Sequence, residues 1–197
     1  MTTTPDIARS ARHMPGPQQG QWTYNDYAAL PVDGQRYEIM NGVLIMAPAP
    51  TPEHQAISML LVVHLFPHTQ GAGLGKIFAG PLDVELAPKR VVQPDVLFVS
   101  NENLHKFSAK RFIGAPDLVI EIASPGTEIY DRLSKAEAYE QAGVREYWLV
   151  DPDDKSIEVF VLEGNTFQLQ GTFQGQATIV SKVAPGIVSI PVERFFT

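Results

Sequence analysis

Two short apolar runs, each broken by a single acid, constrain this chain more than any other feature in it. Asp95 stands within Val91-Val92-Gln93-Pro94-Asp95-Val96-Leu97-Phe98-Val99, and Glu121 within Leu118-Val119-Ile120-Glu121-Ile122. A run that is apolar on both faces belongs in the middle of a sheet covered on both sides. A carboxylate placed there is costly to bury unless it meets a cation, a metal or strong hydrogen-bond donors. Alternation along a strand puts Asp95 on the face of Gln93 and Leu97, and Glu121 on the face of Asp117 and Val119. If the two strands are neighbours in register, both carboxylates converge on one hard cation with oxygen ligands. Either acid alone reads as an edge residue or half of a structural ion pair. Two on successive central strands, each near a proline-containing turn, favour a site.

The surrounding pattern supplies a frame. Thr23 caps a predicted short helix through Tyr24, Tyr27 and Leu30, stopped by Pro31. Asn41-Gly42 between Tyr37–Met40 and Val43–Met46 is a strong hairpin signal. Thr51-Pro52-Glu53 opens a helix whose Ile57, Leu60, Leu61, His64 and Leu65 recur at helical spacing. Strands are expected over Lys76–Ala79, Leu82–Leu86, Val91–Val99 and Asp117–Ala123, then a helix from about Tyr130 to Ala142 ending at Gly143. Further strands follow at Glu146–Val150, Ser156–Leu162 and Thr166–Gly171, and short β segments continue to Thr197. Residues 1–20, with Met14-Pro15-Gly16-Pro17 and no periodicity, read as a flexible tail; residues 21–197 read as one domain, ordered from about Trp22. The class is α/β or α+β: a mixed central sheet flanked by helices, with extra C-terminal strands.

Composition removes whole chemistries. None of the 197 residues is cysteine, which excludes disulfide scaffolds, thiolate zinc sites and cysteine nucleophiles. A formal charge of −7 gives no global basic field for nucleic acid, although phosphate contacts need only a patch. Lys89, Arg90, Lys106, Lys110 and Arg111 are the loop residues available for one, or simply a solubilising surface. The first twenty residues hold no apolar signal core, and the apolar stretch Ile57–Phe66 is far shorter than the roughly 20 residues of a membrane span. A cytoplasmic protein with no membrane part is the expectation. No phosphate-loop motif occurs, Gly71-Ala72-Gly73-Leu74-Gly75 lacks dinucleotide spacing, and the five histidines form no HExxH.

The helix expected after Glu121 carries Asp131, Arg132 and Lys135 in its first half. Asp131 and Lys135 are an i,i+4 pair, which on a solvated face amounts to a weak surface ion pair. Pointed back over the strand end toward Glu121, the Lys135 ammonium could instead orient an attacking water and offset charge building on a phosphate.

These residues form an ordered set: Tyr37-Glu38, Asn41-Gly42, Pro52-Glu53-His54-Gln55, Gln93-Pro94-Asp95-Val96, Glu121-Ile122-Ala123-Ser124-Pro125, Lys135, Tyr139 and Gly143-Val144-Arg145-Glu146-Tyr147-Trp148-Leu149-Val150-Asp151-Pro152. In that order, from about Trp22 to the C-terminus, the chain resembles the Uma2 family, described as restriction endonucleases within the PD-(D/E)XK nuclease superfamily. The resemblance implies a restriction-endonuclease-like fold and magnesium- or manganese-dependent hydrolysis of phosphodiester bonds in DNA. It implies Asp95 and Glu121 as metal-holding acids, and Glu38, Asp95, Glu121 and Lys135 as the catalytic set. His54 and Asp83 are further candidates. The superfamily places a lysine two residues after the second acid, where this chain has Ala123, so the amine must come from elsewhere, with Lys135 on the following helix as the candidate. That departure, with the acidic balance, motivates a second reading: an inactive nuclease-fold module for binding or assembly. Many restriction-type folds work as dimers, and Val159-Phe160-Val161 is the stretch expected to leave an edge for a second copy.

Overall fold

The computed structural model describes residues 9–123, 134–185 and 190–197. Asp131, Arg132, Ser124-Pro125 and the expected helix start at Tyr130 lie outside them. The described strands fall into two mixed sheets. In chain order the elements are β1 (Arg9–Ser10), α1 (Tyr24–Ala28), β2 (Arg36–Met40), β3 (Val43–Ala47), α2 (Pro52–Leu65), β4 (Gly75–Ala79), β5 (Val84–Ala87), β6 (Arg90–Val92), β7 (Val96–Ser100), β8 (Phe112–Ile113), β9 (Leu118–Ile122), α3 (Ala136–Ala142), β10 (Glu146–Asp151), β11 (Ser156–Glu163) and β12 (Thr166–Gln174). The first sheet has the order β1-β3-β2-β6-β5-β8, and the second β12-β11-β10-β9-β7-β4.

The expected single strand over Val91–Val99 is two strands in different sheets, β6 in the first and β7 in the second. Gln93-Pro94-Asp95 carries the chain between them, and Pro94 has no N–H to continue a ladder. Asp95 therefore sits at the seam of the two sheets and not mid-strand. β7 and β9 are antiparallel neighbours, with Val96 opposite Ile120. Continuing that register by one residue sets Asp95 against Glu121.

Both faces of the second sheet are covered. On one, Ile57, Leu61 and Leu65 of α2 pack with Phe98, Ile120 and Trp148, joined by Val192 and Phe195 near the C-terminus. On the other, Leu97, Val119 and Tyr147 meet Met40, Val84 and Phe112 of the first sheet, with Ala138 and Tyr139 of α3. The first sheet carries a separate cluster around Trp22, Tyr24, Ile39 and Leu44. β9, buried at every position, is the central strand its composition asks for.

Turn chemistry sets the local joins. The β2–β3 hairpin turns at Asn41 (φ 52°) and Gly42 (φ 75°), the left-handed conformations that favour this pair. Thr51 Oγ1 accepts from His54 N–H and caps α2 behind Pro52. α3 ends at Gly143 (φ 87°), whose N–H reaches the carbonyls of Tyr139 and Glu140.

Three expectations need correction. Order begins upstream of Trp22: Arg9–Ser10 pairs with Ile45 and Met46, and Ala11 N–H donates to Leu44 C=O, because the outer edge of β3 offers an unfilled ladder. Val159–Val161 lie in β11, paired on both sides by β10 and β12, so they are no free edge. Beyond β12 the described residues make an isolated bridge and a 3-10 turn at Val192–Phe195 and no further strand.

Candidate active site

The seam between the sheets opens on a cavity of about 80 Å³ whose lining includes Glu38, His54, Asp95, Glu121 and Lys135. Five elements and joins supply them. Glu38 comes from β2, His54 from the first turn of α2, Asp95 from the β6–β7 join, Glu121 from β9, and Lys135 from the residue preceding α3.

Each acid is held by specific donors. Asp95 Oδ2 accepts from the Ile122 backbone N–H at 2.8 Å and from His54 Nε2 at 3.0 Å. Its Oδ1 takes no hydrogen bond from the described residues. Glu38 Oε1 accepts from the Gln93 backbone N–H at 2.8 Å and from Lys135 Nζ at 3.1 Å. Lys135 Nζ also stands 3.3 Å from both carboxylate oxygens of Glu121. Tyr139, one helical turn beyond Lys135, donates its hydroxyl to Glu121 Oε1 at 2.5 Å. The amine missing at Ala123 is thus returned to Glu121 by the next helix.

The charges are unbalanced. Three carboxylates share the cavity with one ammonium, and all four side chains are buried. Burial pushes the Glu121 carboxyl up to about 8. Lys135 pulls it down, Asp95 and Glu38 add repulsion, and the Tyr139 hydrogen bond favours the charged form. Burial and the adjacent Glu121 hold the Tyr139 hydroxyl protonated well beyond its ordinary range. Among the described residues no three imidazole or carboxylate groups gather closely enough to form a metal cluster on their own.

Not every expected residue joins the cluster. Asp83 accepts from Tyr27 Oη at 3.1 Å and from Gln93 Nε2 at 2.8 Å, and lines a different cavity of about 510 Å³ beside Tyr24 and Tyr37. It reaches the site only through Gln93. Of the five loop cations, none lines the cavity that holds Asp95. Lys89 is tied to Gly20 C=O and Gln21, Arg90 to Asn41 and Gln141, and Arg111 to Glu85 and the ring of Tyr24. They brace the turns of the first sheet.

Two contributors escaped the sequence reading. Tyr139 reads there as an inward core aromatic; its spacing of four from Lys135 is the one signal that both face Glu121. Arg36, at the start of β2, donates through Nε to Gln93 Oε1 at 3.1 Å and lines the cavity mouth, with no motif to announce it.

Comparison with known proteins gives a family and a shared fold. A family model described as "Uma2: Putative restriction endonuclease" matches residues 24–193. No curated protein matches. Among solved structures, a "putative nuclease belonging to DUF820" from Anabaena variabilis ATCC 29413 superposes with a TM-score of 0.74 at 19% identity, covering 89% of this chain and 97% of that one. The type IIG restriction endonuclease BpuSI gives a TM-score of 0.40 at 14% identity over 73% of this chain and 15% of its own, too distant to bear on the fold. The likeness to the Anabaena protein shows a shared fold.

Proposed function

The chain belongs to the Uma2 family, and from that membership we propose that it hydrolyses phosphodiester bonds in DNA with magnesium or manganese as cofactor. The observation that carries this reading is the place of Lys135 Nζ, between Glu38 and Glu121 in one cavity with Asp95. It supports Lys135 as the amine that Ala123 does not supply, and so favours the enzyme over an inactive module.

The donor set fits a hard cation. Asp95 and Glu121 offer oxygen ligands, the cavity holds surplus negative charge, and magnesium is commonly held by one or two carboxylates with waters and substrate phosphate. When bound, the ion supplies charge neutralisation at the scissile phosphate and a lowered pKa for water. The protein's own residues do the rest. His54 and the Ile122 N–H fix the Asp95 carboxylate by its Oδ2. Tyr139 orients Glu121, whose carboxylate, once deprotonated, would hold the cation. Lys135, immobilised by two carboxylates, directs an N–H toward the attacking water and the charge growing on the phosphoryl oxygens. Water adds to phosphorus, the P–O bond to the leaving nucleoside breaks, and a phosphomonoester and a hydroxyl result. The proposed location is the cytoplasm, and β12, one of the two outer strands of the second sheet, is where a second copy would pair.

Plasmid cleavage tests this. With magnesium, wild type cuts, whereas Lys135→Ala and Glu121→Ala lose about 10²–10⁴-fold in rate, each checked for folding by circular dichroism. Calorimetry should show magnesium or manganese binding lost in Asp95→Ala. Cleavage that survives both Lys135→Ala and Glu121→Ala would mean a contaminating nuclease and end the proposal.

A further inference from the structure

A second cavity of about 370 Å³ adjoins the catalytic one and shares Arg36, Pro50, His54 and Asp95 with it. The two form one trough with the carboxylate cluster at its inner end. Outward from Asp95 its character changes. Met59, Ala79 and Pro81 give apolar walls, and Gln55 and Ser58 of α2 add hydrogen-bonding groups. Such a mix of apolar surface and few polar groups suits an organic ring that also hydrogen-bonds.

Arg36 stands at the junction. Its guanidinium is half-buried and held by Gln93, through Nε to Oε1 at 3.1 Å and Nη2 to the backbone C=O at 3.4 Å. It makes no ion pair with the described residues, and Lys135, the other cation lining the trough, is committed to Glu38 and Glu121. A guanidinium fixed by neutral partners at the meeting of two cavities keeps N–H donors for an anion of the planar kind it recognises best.

We infer that this trough is a subsite for one unpaired DNA strand: Arg36 grips the phosphate next to the scissile one, and the base between them turns into the 370 Å³ cavity. This rests on the reading of the carboxylate cluster as a phosphodiester-hydrolysing site. A base can enter the cavity only if unstacked, a cost that is least in single-stranded or frayed DNA. The enzyme therefore prefers such substrates to closed duplex, and contacts the base without reading a long sequence.

Fluorescence anisotropy with the full chain tests this, in calcium to hold the site charge while limiting turnover. The probes are a labelled single-stranded oligonucleotide, the same strand as blunt duplex, and a series in which one abasic site is moved along an otherwise identical strand bearing a single non-hydrolysable linkage. Removing the base beside that linkage should weaken binding about tenfold, while other positions change little. Arg36→Ala should weaken every strand about tenfold and lower the salt slope by roughly one, with Arg36→Lys as the variant that retains charge and fold. A flat abasic scan, or a duplex bound as tightly as the single strand, overturns the subsite. Plasmid cleavage separates the two failures: wild type that cuts with magnesium but gives a flat scan overturns the subsite alone. Wild type that neither cuts nor binds overturns both readings.

Discussion

Burial lifts Glu121 from an ordinary 4.5 to about 8, so the cation-free protein carries it largely uncharged below that pH. The linkage has a definite sign. Below pH 4.5 the carboxyl is protonated in both folded and unfolded chains and its contribution to stability is complete; between 4.5 and 8 the unfolded chain sheds the proton that the folded one keeps, and stability drains away. Melting temperatures of metal-stripped protein should fall across that window, and Glu121→Gln should remove the part due to this group. An unchanged pH profile in the variant would place the titration elsewhere. Among single residues, the sequence exposed those that violate an expectation: acids in apolar runs, and a lysine where a motif lacks one. Tyr139 violates nothing, since an inward aromatic on an amphipathic helix looks the same whether or not its hydroxyl has a task. The Ile122 and Gln93 N–H groups are backbone, and no side-chain pattern records them.

At the scale of elements, the hairpin that delivers Glu38 depends on Gly42. Its φ is 75°, its C=O accepts from both Gly20 and Trp22 N–H groups, and a Cβ there would lie 2.4 Å from the Gly20 carbonyl oxygen. Two penalties therefore coincide at one turn. Gly42→Ala should cost more than ~1 kcal/mol, read from urea unfolding, and should loosen the N-terminal segment along with the hairpin. A neutral result would mean that this segment is not held by the turn. Asn41-Gly42 was legible because its signal is local. The division of Val91–Val99 between two sheets was not, because hydrophobic pattern reports burial and not which sheet does the burying; Pro94 was the only written hint. Lys135 shows the same limit. Its spacing to Glu121 makes an approach allowable, but only the parallel pairing of β9 with β10 brings α3 back across the strand end.

For the molecule as a whole, the second sheet is stable because something covers each of its faces, and part of the cover is the last stretch of chain. Phe195 is 1% exposed and packs in the cluster that joins α2 to Ile120 and Trp148. Phe195→Ala should cost ~3–5 kcal/mol in denaturant unfolding, and an effect under 1 kcal/mol would mean that the C-terminal turn is not docked. The alternation of strands and helices made the mixed α+β class readable from the start, but the one central sheet expected from it is two sheets in the structure. The net charge of −7 has its own consequence: its global field opposes a polyanion, so on the proposed function attraction to DNA would come from a few placed cations and weaken with salt.

The parallel pairing of β9 with β10 also governs when the site can exist during synthesis. Glu38 and Lys135 are 97 residues apart, and the helix carrying the amine packs on Tyr147 of a strand translated later still. A polypeptide still emerging from the ribosome, with Glu146–Asp151 unmade, has nothing to hold the ammonium against its carboxylates. On the proposed function, copies that end before Glu146–Asp151 would lack the assembled carboxylate–lysine cluster and would not cut.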